Sequence, residues 1–187
     1  KKYGQKGESV QFLYDDIYKS GPEKLGKFDI IILRDVIEHI HDQKKFMDYM
    51  RGFIKDNGVV FFGFPNWLMP FGGHQQICRS KYLSMLPYFH LLPGFLYKAI
   101  LKVFGESNST IENLMEIKST GINIEQFEKI LSATNYKIDK KAFYFINPNY
   151  EIKFKLKPRL SSKIIASIPW FRNFFITANY YVVSKGA

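Results

Sequence analysis

Between Phe28 and Phe64 two nearly uninterrupted apolar runs flank one amphipathic segment, and this spacing restricts the fold more than any other feature of the chain. Phe28-Asp29-Ile30-Ile31-Ile32-Leu33 and Val59 to Phe64 have the pattern of strands buried on both faces of a parallel sheet. Between them, Phe46, Met50, Phe53 and Ile54 recur at intervals of three or four and predict a helix over Gln43 to Lys55. Asp42 is its expected N-cap, and Asn57-Gly58 its expected left-handed stop. Strand, helix and strand at this spacing make a right-handed crossover unit of an α/β sheet.

The flanking sequence extends the pattern. Val10 to Tyr14 is expected as a short strand ending at Asp15-Asp16, followed by a loop with Gly21, Pro22 and Gly26. Residues 67–120 break the alternation and are rich in Phe, Tyr, Leu and Pro, so they form either a helical cap over the sheet or a partner-binding surface. Ile124, Phe127, Ile130 and Leu131 mark a helix over Asn123 to Thr134, and Tyr136 to Ile146 and Asn173 to Ser184 have strand character. Between those strands lies a basic insertion, residues 147–172. Within it Ile152-Lys153-Phe154-Lys155-Leu156-Lys157 alternates strictly, as an exposed edge guarded by lysines does, or as a contact with an anionic surface. A length of 187 residues suits a single domain.

The charge and composition exclude several classes. A net charge of +10 fits nucleic acid, a membrane surface or simple solubility. The basic residues are scattered and no nucleic-acid motif is present, which argues against the first. Pro87, His90, Pro93, Gly94, Lys98 and Lys102 interrupt the stretch Tyr82 to Phe104, so it is suited to lie on a bilayer and not to cross one. A lone cysteine, Cys78, rules out an intrachain disulfide and a cysteine-rich zinc site, and fits a reducing, cytoplasmic setting. Aromatic residues at 17% supply either a large apolar pocket or an ordinary core.

In open α/β sheets ligands bind beyond the carboxyl ends of the strands. Three such ends carry polar residues here: Asp15-Asp16, Arg34-Asp35-Val36-Ile37-Glu38-His39, and Gly63-Phe64-Pro65-Asn66-Trp67. The segment Phe28 to Ile40, continued through Asp56 to Phe62 and Pro65-Asn66, resembles the fourth-strand region of class I S-adenosylmethionine-dependent methyltransferases. Asp15-Asp16 is similar to the acidic loop after that family's third strand, and the closing strands to its antiparallel pair. The resemblance implies a Rossmann-like, mostly parallel sheet ordered third, fourth, fifth, seventh, sixth, with a helical cap insertion. It also implies that the chain corresponds to the family's latter two-thirds. The family's glycine-rich loop has no counterpart, since Gly4 and Gly7 sit in a polar stub, so this chain alone is not expected to be a complete catalyst.

The same resemblance assigns roles. S-adenosyl-L-methionine is the implied cofactor, with Asp15, Asp16, Ile17, Arg34, Asp35 and Val36 beside it. The acceptor is a small molecule or a lipid- or sugar-linked group, and His39 is the expected general base, because an unperturbed imidazole titrates at about pH 6.5. Asn66, Trp67, His74, Arg79 and Tyr82 are candidate acceptor contacts, and Gly72-Gly73 permits a tight turn before His74. Asp35, Glu38 and His39 together have ligand types a divalent metal accepts, although no metal is expected. A peripheral membrane contact stays in view, and the competing class is a non-catalytic binding scaffold or nucleic-acid module.

Overall fold

The computed structural model describes residues 11–186. Its first half contains α1 (Pro22–Leu25), β1 (Phe28–Arg34), α2 (Gln43–Met50), β2 (Ile54–Phe64), α3 (Lys81–Met85), α4 (Gly94–Val103) and α5 (Asn108–Thr120). Then follow α6 (Ile124–Ala133), β3 (Tyr136–Ile146), α7 (Asn149–Phe154), β4 (Arg159–Leu160), α8 (Lys163–Ser167) and β5 (Ala178–Lys185). The sheet runs β1-β2-β5-β3-β4, with β1 and β2 parallel and every other pair antiparallel. This is the fourth, fifth, seventh, sixth order expected of the family, with the two-residue β4 added at one edge, but among the described residues only the β1–β2 pair is parallel, so the expected mostly parallel character is not seen there.

Period-two burial fixes the register. Val60, Phe62 and Phe64 of β2 point to one face, and their partners Val183 and Tyr181 on β5 point the same way. Onto this face pack Phe46, Met47 and Met50 of α2 with Ile124, Phe127 and Leu131 of α6, all buried. Asn123 starts α6 with a capping box: its side chain accepts from Gln126 N–H while Gln126 accepts from the Asn123 N–H. A second, separate core joins α3, α4 and α5 through Leu83, Tyr97, Leu101, Ile111 and Leu114.

Several expectations need correction. Gln11 to Tyr14 are exposed and form no strand, while Val10, Gly4 and Gly7 lie outside the described residues. Among the described residues β1 pairs on one side only and is not buried on both faces: Phe28, Ile30 and Ile32 are exposed, Ile32 at 68%. The helix ends at Met50 in a 3₁₀ turn, and Asn57-Gly58 does not stop it. Both residues lie inside β2, where the pairing jumps from Phe28↔Ile54 to Ile30↔Val59. Gly58 is there because a Cβ would stand 2.7 Å from the Phe28 carbonyl oxygen. The alternating segment Ile152 to Lys157 is not a strand: it begins inside α7, where the Tyr150 and Phe154 rings meet at i, i+4, and Lys155 in the left-handed region ends the helix. The last strand begins at Ala178, because Phe171 to Phe174 turn as a 3₁₀ helix.

Candidate active site

The tips of β1 and β2 are locked side by side. Asp35 leaves β1 with φ 54°, and its N–H donates to the Gly63 carbonyl at 2.7 Å. A non-glycine residue in this region is uncommon and Asp is among the side chains that tolerate it. The turn throws Ile37 to His39 into a single 3₁₀ turn over the sheet edge. Ile37 and Glu38 face inward, and His39 stays exposed.

Glu38 is the site residue that sequence reasoning gave no role beyond a metal alternative. It is 4% exposed, and neither carboxylate oxygen has a hydrogen-bond partner among the described residues. Burial, assisted by the charge of Asp35, pushes its carboxyl up to about 7. Its Oε1 lies 4.0 Å from His39 Nε2. It lines a crevice with Pro65, Trp67, Gly72, His74 and Gly121 that has a volume of about 10 Å³. Such a space holds about one water molecule, so an acceptor has to sit outside it, on the His39 side. The sequence signal was present but weak: an acid between Ile37 and Ile40.

The cap brings in His74, which adopts φ 55°, so the left-handed residue is the histidine and not either glycine before it. Gly72 and Gly73 serve close approach instead: a Cβ on Gly72 would lie 2.2 Å from the Trp67 carbonyl oxygen, and one on Gly73 would lie 2.1 Å from the His90 Cβ. The His74 ring meets His39 edge-on at 5.5 Å, and burial and the nearby His39 lower its basicity. Behind it, His90 is fully buried against the Trp67 carbonyl at 2.7 Å, and burial pulls its imidazole down to about 4.

The other expected site residues scatter. Asp15 is tied to Ser20 and Lys24, which hold its carboxyl below its usual range, and Asp16 caps the turn at Ile17 by accepting from Tyr18 N–H. Ile17 and Val36 line an apolar cleft of about 440 Å³ with Phe28, Ile31, Met50 and Phe53, which offers no polar partner to a ribose or an amino acid. Arg34 bonds the Asn149 side chain and lies 3.8 Å from Asp35. Asn66 is fully buried and spent on structure, donating to Asn173 at 2.7 Å and accepting from Leu68 N–H. Trp67 packs between His90 and Gly121, with Lys118 over its ring. Arg79 is exposed and Tyr82 is 82% exposed, so they stand outside the histidine cluster. Cys78 is buried, and its thiol is pushed up to about 11, so it is no nucleophile. Among the described residues no group of three His, Cys, Asp or Glu side chains is placed to hold a metal ion.

Among solved structures, phosphoethanolamine N-methyltransferase 2 of Haemonchus contortus in complex with S-adenosyl-L-methionine is similar, with 15% identity and a TM-score of 0.41, covering 86% of this chain and 34% of that one. PKMT2 from Rickettsia typhi gives 13% identity, a TM-score of 0.41, and coverage of 87% and 36%. The chain thus spans about a third of the length of these structures. No curated protein matches its sequence. A family model described as a methyltransferase domain matches residues 5–116, more than half of the chain and the whole stretch that builds the β1 and β2 tips. On that match the chain belongs to the methyltransferase domain family.

Proposed function

We propose that this chain forms the acceptor side of an S-adenosylmethionine-dependent methyltransferase, acting on a small molecule or on a lipid- or sugar-linked group. The observation that carries this reading is the cluster at the strand tips: Asp35, Glu38, His39 and His74 gathered beside the locked β1 and β2 ends. S-adenosylmethionine, when bound, supplies a methyl group already activated on a sulfonium, so the protein needs no covalent nucleophile. The residues fit one side of that cofactor: the exposed carboxylates of Asp16 and Asp35 are of the type that accepts hydrogen bonds from ribose hydroxyls or an amine. In this reading Ile17 and Val36 give the cofactor apolar contact at the cleft they line, while Asp15 and Arg34, already bonded to Ser20, Lys24 and Asn149, border that face without contacting it through a free polar group.

His39 takes the acceptor's proton. Its ring is accessible, while buried Glu38 lies behind it and His74 flanks it, so its orientation is restricted from two sides. Residues 67–120 act as the cap that shields the tips from water and shapes the acceptor pocket, with Trp67 and His74 as its inner wall. Arg79, Tyr82 and Asn66 act at one remove, at the outer surface or in the supporting framework. Residues 147–172 act as a second insertion, held to the tip of β1 by the Arg34–Asn149 contact.

Calorimetry of the intact protein with S-adenosylhomocysteine tests the donor half of this reading, and absence of heat would overturn it. For the acceptor half, His39→Ala is expected to lower turnover by about 10²–10⁴-fold with donor affinity retained. An unchanged rate would remove His39 as the base.

A further inference from the structure

The bases are spread along the chain, but the excess of base over acid is concentrated. Residues 67–105 carry four bases and no acid, and residues 147–172 carry six bases and one acid, so these two segments hold nine of the ten net charges; of these bases only Arg172 is buried, paired with Glu125 and Glu128. The same segments turn large apolar side chains toward solvent. On α4, Tyr97 and Leu101 face the cap core, while Phe95 (78% exposed) and Val103 (84% exposed) point outward in company with exposed Lys98 and Lys102. In the second segment Ile152, Ile164 and Trp170 are exposed, with Lys153 and Lys163 adjacent in sequence.

The two segments are neighbours in space. Tyr88 of the cap donates its hydroxyl to the Phe174 carbonyl at 3.2 Å, just beyond residue 172, and the two rings lie 6.2 Å apart. Asn149 accepts from Arg34 at the β1 tip, and Lys153 is near enough to His74 for its charge to act on that imidazole. Both segments therefore border the strand tips.

We propose that residues 67–105 of the cap and residues 147–172 form a docking surface for an anionic phospholipid bilayer. A second copy of the chain would bring like charge against like charge. The buried centre of a protein interface is depleted in lysine, and nucleic-acid backbone contacts are polar and make no use of outward aliphatic side chains. An anionic bilayer accepts both features: rings and aliphatic groups enter the headgroup boundary while lysine stems extend along it and keep their charge in water. No helix among the described residues is long and apolar enough to cross a membrane, so the surface lies on the bilayer. This inference does not rest on methyl transfer, and its test reads binding alone.

The experiment is co-sedimentation of the intact protein with phosphatidylcholine vesicles, and with vesicles in which about one third of the lipid is phosphatidylglycerol, at physiological salt. Binding is expected to be about tenfold or more stronger on the anionic vesicles. Lys98→Glu with Lys102→Glu, and separately Phe95→Ser with Val103→Ser, should each weaken it about tenfold, with melting temperature unchanged because these side chains are exposed. Lys137→Glu with Lys140→Glu on β3 makes the same charge change elsewhere and should leave binding within about threefold. Equal or absent binding on the two vesicle types would overturn the proposal. So would a β3 variant that loses as much as the α4 variant, or a vesicle-free dimer that the α4 substitutions abolish.

Discussion

Glu38→Gln should make the protein more stable at alkaline pH and do little at acidic pH. Burial raises the folded-state carboxyl from 4.5 to about 7. Below pH 4.5 the group is protonated in both folded and unfolded chains. As pH rises through 7 the folded chain must either keep a proton the unfolded chain has released or bury an unpaired charge, so stability present at low pH is lost. At about 1.4 kcal/mol per pH unit of separation, the penalty is about 3 kcal/mol at pH 8 and about 1 kcal/mol at pH 5. Glutamine keeps the shape without the charge, so the variant should gain about 2–3 kcal/mol on the wild type between pH 5 and pH 8. His90 works in the opposite sense: its depressed imidazole stabilises the fold above 6.5 and ceases to as pH falls through about 4. It is common to both proteins, as are Asp35, His39 and His74 around Glu38, so comparing variant with wild type isolates the carboxyl. Urea titrations of both proteins at several pH values supply the measurement, with equal m-values required. A difference that is flat with pH, or that favours the wild type at pH 8, would refute the reasoning.

Two further outcomes follow from packing. In Gly121→Ala the new Cβ would stand 2.4 Å from the Trp67 ring, so the indole must move; a loss of about 1–3 kcal/mol is expected, together with a shift in tryptophan emission, and an unchanged melting curve would contradict it. Leu101→Ala opens the cap core and should cost about 2–5 kcal/mol. Hydrogen exchange should then show α4 and α5 losing protection while β2 and β5 keep theirs; uniform loss would mean that the two cores unfold as one.

What the sequence disclosed was what local periodicity encodes. The apolar runs at Phe28 and Val59, the face of α6 with Asn123 at its start, and the two late strands are visible because each depends on residues a few positions apart. Burial of β1 was misjudged because an apolar run does not say how many neighbours its strand has. Asn57-Gly58 has the composition of a helix stop, but its glycine answers to a carbonyl on another strand. Ile152 to Lys157 alternates, yet no neighbouring strand offers it a ladder. At the site, His39 and His74 were legible as residue types, whereas the isolation of Glu38 depends on Pro65, Trp67 and Gly121, contributed from 27 to 83 positions away. Asn66 misled for the same reason, since its partner Asn173 lies 107 residues on.

The separation of the sheet core from the cap core has an evolutionary consequence. The residues filling one do not appear in the other, and the two meet through polar and ring contacts outside both cores: Trp67 against Gly121, His90 on the Trp67 carbonyl, Gln43 reaching the Thr120 carbonyl, His39 beside His74, His41 on Glu116 and Tyr88 on the Phe174 carbonyl. Changes inside the cap can therefore accumulate with energies that add independently of those in the sheet. On the function proposed above, acceptor preference is then free to drift, or to be transplanted from a sibling protein, while the scaffold that presents the strand tips is inherited intact.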